Sequence, residues 1–547
     1  MPSAIEENPM SRSLSWPRLH AVALGALLAL PTLVHAVPEG PAYPSAAWAI
    51  REATNYAKVL EAPAEQARNP AFLSRLGSQS LVNTSAFLLR DLRDPSWVLA
   101  YSPTLAAAVA ALGDSTGLAA VQASLFAALR NDPSQSLRLP LNVPVALPLC
   151  ASYALQCAGD PYRWPGADPF YLLQGEVEPV VFYDAGCARL SGRVWKPRGL
   201  IGQRRLPGVV IQNGSVQAPE TAYWWMAQAL VRAGYTVLSF DPRGQGRSDL
   251  ATPTLEQGTN VNPSVFWTGL VDAIDFFRSR PGTPYPNQAR CAGSYPTQTA
   301  SLNPFHAALD LDRLGIAGHS LGAVGISIVQ GYGAPGADPW PGQIDASNPV
   351  DVAVGWDGMI APDGSNPGGA GGMLFDLLPE PLASAALSTF ITRSEPRWAP
   401  RVPTMGQNSE YGIAPIPFVQ PPGPDERKAG QRAWQTAGVP SFEFTIRGSS
   451  HFEWSQIPSF PATSWCPSTV GGRCAAGFGQ PMAEHYSLAW FDRWLKRDGE
   501  AGFLSADARL LDDATWRERM SFHFRSARAF PTRGGTAQVC ADIRAGC

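Results

Sequence analysis

Charge is in short supply. Asp, Glu, Lys and Arg make up 16% of the 547 residues, and the net charge is -3 with a pI near 6.2. A chain so balanced has no basic surface for a nucleic acid or an anionic membrane. Histidine is scarce too, with seven in all. The eight cysteines include no C-x-x-C pair, and no histidines cluster beside them. The sequence therefore gives no metal centre. Long apolar runs are missing apart from Ala21–Val34, which is too short to cross a bilayer comfortably.

Glycine (51) and proline (52) are plentiful, and 45% of residues are hydrophobic. That composition describes a loop-rich globular protein and excludes a disordered one. The length exceeds a typical single domain and suits a large enzyme core with additions. Arg18, the apolar run and Val34-His35-Ala36 read as an export signal cleaved after Ala36. Met10, after an acidic stretch unusual for such a signal, is an alternative start. The expected location is secreted or periplasmic. All eight cysteines follow that point, and an even count in an exported chain implies disulfides. Loop closure favours Cys150–Cys157, Cys466–Cys474 and Cys540–Cys547, which leaves Cys187 for Cys291.

The chain is organised around Gly318-His319-Ser320-Leu321-Gly322. An apolar run enters this G-x-S-x-G pattern and a small-residue helix pattern leaves it. That is the form of a nucleophile elbow, in which a strained turn lifts the serine above a sheet. A serine hydroxyl needs a base to attack, and the base needs a carboxylate to orient it. In this strand-to-helix arrangement the order is serine, acid, histidine. His451 follows an apolar run, 442–446, through Arg447-Gly448-Ser449-Ser450 and is the expected base. His306 precedes the serine, His485 lies on a helix and His523 in the tail. His319 is expected to point away and serve packing. The acid stands open between Asp357, after the strand 351–356, and Glu410, after the strand 402–406. An oxyanion needs two N–H donors. One is Leu321, and the other comes from the turn Asn213-Gly214-Ser215, from Ser215 or Val216 beside it.

Around this motif, strand and helix patterns alternate. A hairpin is expected over 177–195, strands at 207–212 and 235–240, and a helix over 221–233 capped by Gly234. A further helix is opened by Asn262-Pro263, and a closing helix spans 482–496. Such alternation predicts an α/β fold with a mainly parallel central sheet covered by helices on both faces. The expected organisation is a signal peptide (1–36), a helical and Pro-rich N-terminal extension (37–174), a catalytic domain (175–499) and a C-terminal tail (500–547). Residues 280–307 read as a loop insertion. An insert at about 360–400 contains an apolar stretch, 373–390, that is either a lid or an ordinary packed helix.

The whole set resembles the α/β-hydrolase superfamily, through Asn213-Gly214-Ser215, Asp241-Pro242-Arg243-Gly244-Gln245-Gly246-Arg247-Ser248 and the elbow. Three segments are similar to the plasma-type platelet-activating-factor acetylhydrolase family and its bacterial secreted relatives. They are Val354-Gly355-Trp356-Asp357-Gly358-Met359, Asn408-Ser409-Glu410-Tyr411 and Ile446-Arg447-Gly448-Ser449-Ser450-His451. The resemblance spans about 175–497. It implies an α/β-hydrolase fold, a Ser320–His451–Asp357 triad with Glu410 as the alternative acid, and oxyanion donors at Ser215 and Leu321. Asn213 stands where the superfamily usually has histidine.

The implied function is a secreted serine carboxylic-ester hydrolase acting through an acyl-enzyme, with no cofactor and no metal. Its substrate would be an ester, whether small molecule, lipid or polymer. A cutinase- or lipase-like polyester or lipid hydrolase is the alternative. A non-catalytic binding protein on the same scaffold is the reading from another class.

Overall fold

The structure, a computed structural model, describes residues 40–67, 170, 173–199, 205–214, 220–245, 248–249, 252–254, 256, 258, 262–294, 299–362, 396–412, 416–451, 453–455, 469–470, 473–474 and 477–547. The signal segment, most of the N-terminal extension and the 373–390 stretch lie outside the described residues.

A ten-stranded mixed sheet forms the centre. An antiparallel hairpin, β1 (Gly175–Tyr183) and β2 (Arg189–Pro197), begins it at one edge. Next come β4 (Thr236–Asp241), β3 (Leu206–Gln212), β5 (Leu309–His319), β6 (Val352–Trp356), β7 (Thr404–Ser409) and β8 (Ser441–Ile446), all mutually parallel. A short separate pair, β9 (Thr469–Val470) and β10 (Arg473–Cys474), stands apart from it.

Unbroken apolar runs such as Val209-Val210-Ile211 form these central strands because both faces are covered. Val209 and Ile211 join the core under helices α2 (Trp224–Arg232) and α7 (Gly479–Leu495). Val210 joins the opposite core, under α3 (Val265–Arg278) and α5 (Leu321–Val329). Between them along the chain lie a short α4 (Pro286–Cys291) and α6 (Ala429–Thr436). A helix α1 (Ala46–Ala67) represents the N-terminal extension.

Several expectations shift. The stretch 221–233 opens as a 3-10 turn, Glu220–Tyr223, before α2. Pro263 sits two residues ahead of α3, whose N-cap is Ser264, so it leads the chain in rather than occupying the first helical position. The strand expected at 402–406 is β7, two residues later. The 280–307 segment contains α4 and a buried Tyr285. The largest change concerns the tail. Ala527–Pro531 (β11) pairs antiparallel with β8, and Ala537–Cys540 (β12) pairs with β11. Residues after 500 thus extend the sheet by two strands and bury Phe530 and Ile543 in the first core. Arginine and proline within β11 disguise it in the sequence.

Cys187 bonds Cys291 and Cys540 bonds Cys547, as expected. The other two expected pairs fall outside the described side chains. The first disulfide closes 104 residues, fastening α4 to the β1–β2 turn, and the second closes 7. Loop-closure entropy predicts that the Cys187→Ser/Cys291→Ser double variant loses about 4–5 kcal/mol and the Cys540→Ser/Cys547→Ser variant about 2 kcal/mol. Urea unfolding of the two checks this, and equal losses would contradict it.

Candidate active site

The parallel register decides which residues can meet. Gln212 lies beside Gly318, His319 beside Trp356, Trp356 beside Gln407 and Ser409 beside Ile446. The carboxyl ends of β3, β5, β6, β7 and β8 are therefore level. The residues leaving them share one edge of the sheet, which is where ligands bind in open α/β sheets.

Ser320 sits between β5 and α5 with φ 57° and ψ −125°. Such a conformation in a non-glycine residue costs on the order of 1–3 kcal/mol and persists only where neighbours fix it. Its N–H donates to Trp356 O at 2.9 Å, and its carbonyl accepts from Ala323 and Val324 N–H. The two flanking glycines are demanded by close approach. A Cβ on Gly318 would stand 2.6 Å from Gly322 O, and one on Gly322 would strike Asn213 O. The next residue, Leu321, begins α5, where helical N–H groups have no intrahelical carbonyl partner.

Asp357 leaves β6 with φ 49°, a second strained residue. Its Oδ2 lies 2.6 Å from His451 Nδ1 and accepts from Ser409 Oγ at 2.6 Å, while Oδ1 accepts from Ser409 N–H at 2.7 Å. Burial pushes this carboxyl up, but the His451 bond and charge, Arg427 and Ser409 outweigh it and hold it below the ordinary aspartate range. An ionised Asp357 accepts a hydrogen bond from Nδ1–H, so neutral His451 carries its lone pair on Nε2. The His451 N–H is itself held by Gly412 O at 2.8 Å.

Glu410 is fully buried but faces elsewhere. It accepts from Asn55 Nδ2 of α1, Gly448 N–H, Ser521 Oγ and Phe522 N–H. Of the two candidate acids, the structure brings Asp357 to His451 and gives Glu410 to the joint between α1, the His451 loop and the C-terminal residues. His306, His485 and His523 bond to Asn303 O, Arg509 O and Glu52 respectively, away from Ser320.

The sequence predicts packing alone for His319, and the structure gives it more. Its Nε2 lies 2.8 Å from His451 O, and its Nδ1 lies 2.7 Å from Tyr223 Oη. A carbonyl can only accept, so Nε2 carries the proton and Nδ1 accepts from Tyr223. The Tyr223 oxygen in turn accepts from Gly214 N–H at 3.0 Å. Burial, and then the His451 charge, push His319 down to about 3, so it stays neutral and the polarity of this chain is fixed. Gly214, Ser320 and His451 are thereby tied through two side chains. Nothing in the sequence separates Tyr223 from the aromatic residues that follow it.

Ser215, the other expected oxyanion donor, lies outside the described residues. Its neighbour Gly214 is so close to the elbow that a Cβ there would be 3.0 Å from Ser320 Cβ. Asp241 holds that turn from the side by accepting from Asn213 Nδ2 at 2.9 Å and Glu220 N–H at 2.6 Å. Trp224 and Trp225 are core residues, and Trp225 Nε1 donates to Trp454 O beyond His451. Among the described residues no group of three or more His, Cys, Asp or Glu is arranged to hold a metal ion, and no helix is long and apolar enough to cross a membrane.

No protein-family model matches the chain, and no curated protein matches it either. The site is therefore read from its own geometry.

The short Nδ1–H bond to Asp357 should give a downfield proton resonance protected from exchange. It is expected to disappear in Asp357→Asn and survive in Glu410→Gln, read by one-dimensional proton NMR. Survival in Asp357→Asn would assign the bond to another acceptor.

Proposed function

We propose that the protein is a serine carboxylic-ester hydrolase built on an α/β-hydrolase fold. The observation that carries this reading is Ser320 held at positive φ between strand and helix, with a buried His451–Asp357 pair beyond the ends of β8 and β6, two parallel strands that flank β7. Strain of this kind at a serine marks a functional position, and in a nucleophile elbow it serves to present the hydroxyl.

In this reading His451 Nε2 takes the proton as Ser320 Oγ attacks the ester carbonyl. Asp357 keeps the imidazole in the required tautomer and stabilises the imidazolium. The Leu321 N–H and the donor supplied by the 213–216 turn hold the oxyanion. The protonated His451 gives its proton to the leaving alcohol. Water then attacks the acyl-Ser320 with His451 again as base. The two disulfides, and the absence of a membrane-spanning helix among the described residues, fit an exported enzyme. Ester substrates, whether small molecule, lipid or polymer, are the class this chemistry serves.

The decisive test is fluorophosphonate labelling read by intact mass, with turnover of p-nitrophenyl esters from C2 to C12. One phosphonyl group on the wild type, absent in Ser320→Ala, is expected. Asp357→Asn should lower kcat about ten-thousandfold by allowing the wrong tautomer, and Glu410→Gln should keep turnover. A folded wild type with neither labelling nor turnover would return the scaffold to a binding role.

A second prediction concerns the His319 link. Tyr223→Phe removes the donor to His319 and leaves Gly214 N–H unpaired. It is expected to lower kcat by about tenfold to a hundredfold with KM nearly unchanged, because the oxyanion turn loses its anchor. A loss of thermal stability with unaltered kcat would make the link structural only.

A further inference from the structure

A second concentration of function-grade chemistry lies away from Ser320, where α1 meets the C-terminal residues. A cavity of about 210 Å3 opens there, walled by Arg51, Phe522, Arg525, Asp542 and Arg544. Three guanidinium groups converge on the Phe522 ring. Arg51 stands 5.0 Å from its centroid, Arg544 4.2 Å, and Arg447, which does not line the cavity, 5.2 Å. They come from α1, from the loop after β8 and from the chain's last residues, so tertiary folding assembles the cluster.

Like charges gathered at one ring need compensation. Cation–π contact supplies about 0.5–2 kcal/mol for each, which offsets only part of their repulsion. Among the described residues, no carboxylate lies within ion-pair distance of Arg51, Arg447 or Arg544. Arg544 Nη1 reaches only the carbonyls of Arg517 and Met520, both at 3.2 Å. Arg447 Nε is buried with no partner among the described residues. Glu410 and Glu518 oppose these charges at longer range. Glu410 is already committed to its four donors. Burial, with Arg447 and Arg51 adding to it and Glu410 and Glu518 opposing it, pushes Arg544 down to about 10. Of the three arginines on the cavity wall, Arg525 is matched by Asp425 at 3.2 Å, which leaves Arg51 and Arg544 as the pair without a carboxylate at ion-pair distance. Asp542 already accepts from Ala545 N–H and sits 3.5 Å from Arg525 Nε.

We infer that this cavity binds a small dianion, with Arg51 and Arg544 as its charged ligands and the Phe522 ring as its floor. A single carboxylate would leave one cation unmatched. A phosphate group or a dicarboxylate matches both, because each presents several anionic oxygens to planar guanidinium forks. The site does not depend on the hydrolase reading, since Ser320 takes no part in it.

The test titrates full-length protein with phosphate, with malonate and with sodium chloride at matched ionic strength, following Tm and heat of binding. A saturable rise in Tm with phosphate or malonate is expected, unchanged in Ser320→Ala and in the exposed-arginine control Arg397→Gln. Arg51→Gln, on the surface of α1, should weaken binding by about tenfold or more, and Arg544→Gln likewise. Saturation by phosphate alone would support a phosphorylated ligand, by malonate alone a carboxylic one, and by both a general dianion site. The proposal is overturned if neither anion exceeds sodium chloride, or if binding persists at full strength in both Arg51→Gln and Arg544→Gln.

Discussion

Ser320 holds a backbone conformation that an L-residue avoids, and most of the surrounding architecture exists to hold it there. The carbonyl of Trp356 takes its N–H, α5 takes its carbonyl, and Gly318 and Gly322 leave room for chain segments that a methyl group would separate. Level strand ends then bring Asp357 and His451 to the same edge. A strained residue stays strained only when the folded chain over-determines it. Here the constraint comes from the two flanking glycines and from the level ends of the parallel strands together.

Several polar groups at that edge are ordered into directed donor–acceptor chains. Gly214 N–H, Tyr223, His319 and the His451 carbonyl run in one direction, each donating to the next. Ser409 and His451 both point protons at Asp357. Because His319 stays neutral and Asp357 ionised, neither chain can reverse. Under the proposed hydrolase reading, preorganisation of this kind would remove the reorganisation that water requires during charge development.

Much of this was legible in the residues. The Gly-x-Ser-x-Gly pattern, the apolar runs of β3, β5 and β8 and the short-loop disulfide Cys540–Cys547 follow from local rules of turn geometry and periodicity. The choice between Asp357 and Glu410 does not. Both follow a strand, and only the hydrogen bonds around each separate them. Tyr223 was invisible because one hydroxyl in an aromatic cluster carries no sequence signal. The C-terminal strands were missed because β11 contains Arg528 and Pro531, residues that weaken a strand pattern. Pairing with β8 on one side and β12 on the other overrides that propensity.

The joint at Glu410 has a consequence for how the protein comes into being. Its carboxylate gathers Asn55, 355 residues upstream, and Ser521, 111 residues downstream, around the Gly448 amide that leads into the His451 loop. Glu52 and His523 are 471 residues apart and meet beside it. Contacts of such long separation form late, because the loops they close carry the largest entropic cost. The elbow can take shape while the chain is still being made, but the loop of His451 finds its seat only after residues 519–523 have been delivered. A nascent chain that has reached only β8 would thus hold Ser320 and Asp357 without the seat of the His451 loop, so under the proposed hydrolase reading any reactivity would wait for residues 521–523.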